Sequence, residues 1–86
     1  MATTAQIREV EEVSRQIYDL MAGRAPAVQG AICADLLSCW VAGHSVPGNE
    51  QATIDAREAI LKAHIETVRR LIPIQEKDIL GRHGQQ

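Results

Sequence analysis

The chain has 86 residues, 45% of them hydrophobic, with a formal net charge of −2, one tryptophan, one tyrosine and no phenylalanine. That length allows one domain at most, with a thin core of aliphatic side chains and alanine, because a chain of this size buries only roughly 60 to 65% of its unfolded surface. The faintly acidic balance argues against a polyanion partner, and so small a core calls for a disulfide, a metal or a second subunit beside it.

The opening residues run from Met1 to Gln6 straight into the charged segment Arg8 to Arg15, without the apolar stretch and small-residue cleavage site of a secretory leader. The expected location is therefore cytoplasmic. From Ile7 onward Val10, Val13, Ile17, Leu20 and Met21 recur every three or four residues, and Arg8, Glu9, Glu11, Glu12, Arg15, Gln16 and Asp19 fill the other face. This is the pattern of a one-sided helix over residues 4–22. Thr3 and Gln6 have the spacing of a capping box, and Gly23 is placed to end the helix.

Pro26 suits the first turn of a second helix, predicted over 26–43 and closed by Gly43. Its middle, "AICADLLSCWVAGH", is almost wholly apolar: Ile32, Cys33, Leu36, Leu37, Cys39, Trp40 and Val41 cover more than half the circumference, with Asp35 on a narrow stripe of small and polar residues. A helix apolar nearly all round is buried on nearly all sides. Two flanking helices cannot cover that much surface, so the excess predicts a homodimer or higher oligomer, with Leu36, Leu37, Trp40 and Val41 at the interface. The segment cannot span a bilayer, since Asp35 interrupts it and the uncharged stretch from Leu36 to Asn49 falls short of the ~20 residues required. Cys33 and Cys39 cannot bridge within one helix, being about 9 Å apart along the axis and about 120° apart around it, and are expected to be small, buried, reduced hydrophobes.

Asn49 is the expected cap of a third helix, which Pro73 should end at Ile72. One side of its apolar arc carries Ile54, Leu61, Ile65, Val68 and Ile72, the other Ala56, Ile60, Ala63 and Leu71; Arg57 and His64 lie between them. The outward face, with Glu58, Lys62, Glu66 and Arg70 at four-residue spacing, is an ordinary solvated one. Residues 74–86 are expected to form a C-terminal tail to a domain of residues 1–73.

A lone carboxylate on an apolar helix costs several kcal/mol unless a donor reaches it. Arg57 and His64 are the expected partners of Asp35, in this chain or a second copy, in a cluster that fixes helix register. The same three residues form the candidate site of a small ligand or an acid/base pair.

Other chemistry finds little footing. Convergence of Cys33, Cys39, His44 and His64 on zinc would need a spacing such as CxxC or HExxH, which is missing, and no ExxH pairs exist for a di-iron bundle. His64 falls within the apolar arc, where a phosphorelay histidine would not be exposed. A helix-turn-helix reading would begin its recognition helix with Glu50, Asp55 and Glu58, the wrong sign for DNA. No nucleophile or oxyanion hole is evident, so no catalytic residue, metal ligand or cofactor is assigned.

The sequence thus predicts an all-α, antiparallel three-helix bundle that dimerises into a larger helical assembly. The expected function is that of a non-enzymatic interaction or regulatory module, homodimeric and open to an unidentified protein partner, with no nucleic acid or membrane. The alternative is a small-ligand-binding or enzymatic helical protein using Asp35, Arg57 and His64.

Overall fold

The computed structural model describes residues 2–84, with backbone alone for 82–84. Its described residues are all-α, in three helices: α1 (Thr4–Met21), α2 (Pro26–Ala42) and α3 (Glu50–Gly84). They fall into two compact units, one ending at Leu36 and the other starting at Leu37, so the division runs through α2.

In the first unit, α1 begins with the predicted capping box. The Gln6 amide donates to Thr3 Oγ1 at 3.1 Å and the Thr3 amide donates to Gln6 Oε1 at 2.9 Å. Two of the amides that a helix start leaves without an internal acceptor are thereby satisfied. The exit turns on Gly23, whose φ of 78° lies in the left-handed region that side chains avoid. Around it the terminal carbonyls of α1 are taken up one by one: Leu20 by Arg24 Nε at 2.7 Å, Met21 by Gln29 Nε2 at 2.9 Å, and Tyr18 by the Ala22 amide at 2.9 Å. The Gln29 contact reaches back from the first turns of α2, which starts at Pro26 as expected.

In the second unit α2 ends at Ala42, and the loop to α3 is organised by Thr53 and Asn49. Asn49 Oδ1 accepts from the Ala52 amide at 2.9 Å, the predicted cap, and Thr53 Oγ1 accepts from the Val46 amide at 2.9 Å. Between them Val46-Pro47-Gly48-Asn49 closes a turn, with the Asn49 amide on the Val46 carbonyl at 3.1 Å and Gly48 at φ 75°. Proline second and a left-handed residue third is the arrangement of a type II turn. A Cβ on Gly48 would meet no atom within 4 Å. Gly48→Ala should therefore lose only backbone strain energy, about 1 kcal/mol by urea denaturation; a loss of several kcal/mol would mean that the loop packs against something beyond this chain.

α3 runs for 35 residues and does not stop at Ile72: Pro73 lies inside it, and the helix continues to Gly84. The expected tail is thus helical through residue 84, while Gln85 and Gln86 lie outside the described residues. Proline withholds one amide, from the carbonyl of Arg69 four residues earlier. Arg69 and the residues around Pro73 are exposed, so water can reach that carbonyl, and Gln75, Glu76 and Lys77 beyond it are good helix formers.

None of the described residues is buried. The expectation that α2 is a buried helix is corrected for the single chain: Leu36 is 52% exposed, Trp40 46%, and Cys33 and Cys39 are free and exposed. The physical reason is the one its composition implies, that a helix apolar nearly all round presents more surface than two neighbours of one chain cover.

Candidate functional site

Side-chain chemistry concentrates in the second unit, where the end of α2 meets the first half of α3. Arg57, half-buried on α3, spreads its guanidinium over the end of α2: Nε donates to the His44 carbonyl at 2.9 Å and Nη2 to the Ala42 carbonyl at 2.8 Å. The last carbonyls of a helix have no internal donor and carry the negative end of its dipole, so a planar cation with two N–H groups side by side on one edge caps them well. The α2 terminus and the following loop are pinned to α3 by this one side chain.

Beside it, Trp40 stands edge-on to two imidazoles. Its ring centroid lies 4.8 Å from that of His44, at an interplanar angle of 79°, and 4.7 Å from that of His64, at 73°. Both histidines also hold a carbonyl one helical turn back: His44 Nδ1 is 2.8 Å from the Trp40 oxygen and His64 Nδ1 is 2.8 Å from the Ile60 oxygen. A carbonyl only accepts, so each Nδ1 donates in this contact. The backbone carbonyls thereby orient both rings, which meet Trp40 in T-shaped contacts.

Of the predicted cluster, Arg57 and His64 both stand in the second unit, Arg57 on the Ala42 and His44 carbonyls and His64 on the Ile60 carbonyl beside Trp40, partners that the sequence did not suggest. Asp35 belongs to the first unit, exposed on α2. It lines an open apolar groove of about 490 Å³ formed by α2 alone, with Val28, Ala31, Ile32 and Leu36. That groove does not enclose a ligand. Of the predicted interface residues, Leu36 is exposed at the end of the first unit, and Leu37, Trp40 and Val41 follow in the second.

Among the described residues no three His, Cys, Asp or Glu gather as a metal ion would require. No helix among them is long and apolar enough to cross a membrane. Reasoning from sequence missed His44 as a partner of Trp40. The spacing alone did not announce it, because α2 ends at Ala42 and His44 stands in the loop beyond it, folded back so that its Nδ1 reaches the Trp40 carbonyl.

Fold and site together define an all-α protein of three helices whose most developed polar cluster ties one helix end to its neighbour. No protein-family model, curated protein or solved structure matches the chain.

Proposed function

We propose that the protein is a non-enzymatic interaction or regulatory module acting as a cytoplasmic homodimer through the face of α2 that carries Leu36, Leu37, Trp40 and Val41. The observation that carries this reading is the exposure of that face: Leu36 and Trp40 are about half open to solvent in a chain none of whose described residues is buried. Fold stability comes mainly from apolar burial, at about 25 cal/mol per Å², and a second copy of the same face is the simplest cover for it. The polar cluster supports the same reading. Arg57 spends its donors on helix-end carbonyls and both histidines spend Nδ1 in the same way, which is the bonding of a scaffold.

Leu36→Asp tests the interface. The side chain is exposed in the single chain, so a carboxylate is tolerated there, whereas two facing copies would bring together two uncompensated charges. Sedimentation should show the variant as a monomer at concentrations where the wild type is dimeric. An unchanged dimer would place the interface elsewhere.

A further inference from the structure

The corner where the end of α2 meets α3 sets two titratable rings against the one tryptophan of the chain. His44 and His64 approach Trp40 from different elements, the loop after α2 and the body of α3, with ring centroids 4.8 Å and 4.7 Å from that of the indole. His64 is exposed, His44 half-buried and Trp40 46% exposed. Because each Nδ1 donates to a backbone carbonyl, the nitrogen that gains or loses a proton with pH is Nε2, and each ring keeps its anchor in either charge state. The charged surroundings are sparse. Neither the end of α2, Leu37 to Ala42, nor the loop of 43–49 carries an Asp, Glu, Lys or Arg, and Cys39 is the one other titratable residue in those segments. On α3 the residues three and four positions from His64 are Ile60, Leu61, Thr67 and Val68, all uncharged. Further along the same side of α3 stand Arg57, whose guanidinium holds the His44 carbonyl, and Glu50 at the start of the helix.

We propose that this corner is a pH-sensitive catch on the homodimer, in which protonation of His44 and His64 at Nε2 releases the second copy from Trp40. The inference rests on the α2-face reading above and names how that same face is regulated. Both rings touch the indole, so a copy seated on the open part of Trp40 also lies against them and takes water from them. A neutral imidazole loses little by this, whereas an imidazolium loses its hydration and gains no counter-charge from the apolar face that covers it. Arg57 beside His44 adds a like charge. The paired form therefore binds protons less readily than the separated chains, which fixes the sign: its strength is fully present where the rings of the separated chains are neutral, and is lost as pH falls through the imidazole range, about pH 8 to 5.

Sedimentation of the full chain at about pH 7.5 and about pH 5.5, on either side of the imidazole midpoint, should show the dimer Kd rising at least about tenfold on acidification. The control carries His44→Asn and His64→Asn together. An asparagine amide stands where the Nδ1 donor was and takes no charge, so the double variant should keep its Kd within about twofold between the two conditions. His83 is present in both chains, and its titration is common to them. A wild-type Kd that stays level or falls, or one that rises equally in the double variant, overturns the proposal and leaves the homodimer reading standing. A wild-type chain that sediments as a single copy at both pH values overturns the two together. If the double variant no longer pairs, the wild type alone decides, by calorimetry of its dissociation at about pH 6.5 in buffers of different ionisation enthalpy: proton uptake on dissociation supports the proposal, and none overturns it.

Discussion

Replacing Trp40 by alanine is expected to destabilise the dimer by about 3 to 5 kcal/mol per protomer, or to prevent its assembly. Two contributions add. Within one chain the indole packs against the edges of His44 and His64, and aromatic pairs of this geometry are worth about 0.5 to 1.5 kcal/mol each beyond area burial. The remaining 46% of Trp40 is open to solvent. That leaves on the order of 100 Å² for a partner to cover, about 2.5 kcal/mol. The two contributions separate in the Leu36→Asp background, where the chain is expected to be monomeric: Trp40→Ala should cost about 1 to 3 kcal/mol there, the part that belongs to the single chain. Chemical denaturation of the four chains measures both. Equal costs in the two backgrounds would mean that no partner covers the indole.

Arg57→Ala is expected to lose about 2 to 4 kcal/mol, because two charge-assisted hydrogen bonds disappear together and the carbonyls of Ala42 and His44 lose their donor at a helix end. Arg57→Lys should recover less than half of that loss. Its ammonium keeps the charge against the dipole but cannot present two N–H groups at the fixed spacing of a guanidinium edge. A change below about 0.5 kcal/mol on alanine substitution, by urea denaturation followed by circular dichroism, would show that the helix end does not depend on this contact.

The three helix starts and the end of α1 were legible because each is written in nearby side chains or a glycine. Thr3 with Gln6, Gly23 before Pro26, and Asn49 ahead of α3 are residues whose polar groups or backbone freedom act within four positions of where they stand. The end of α3 was not legible at Pro73. Proline's cost to a helix depends on whether the carbonyl it deprives is buried or wet, and here it is next to solvent. The contacts of Arg57 with the Ala42 and His44 carbonyls were not legible either, because a backbone carbonyl is an acceptor that every residue has and no residue letter announces. The same holds for His64, which donates to Ile60. Trp40 was expected to be largely buried at or beside a subunit interface and is 46% exposed in the single chain, and the contact with His64 required a fold to bring the two together.

On the proposed reading this chain completes its apolar burial with a second copy of itself. Light scattering on the wild-type protein, eluted from a sizing column across a range from low to high micromolar concentration, tests it most directly. The expected species has twice the mass of one chain, falling toward a single chain on dilution. A single-chain mass throughout that range, with helix content intact, would contradict it.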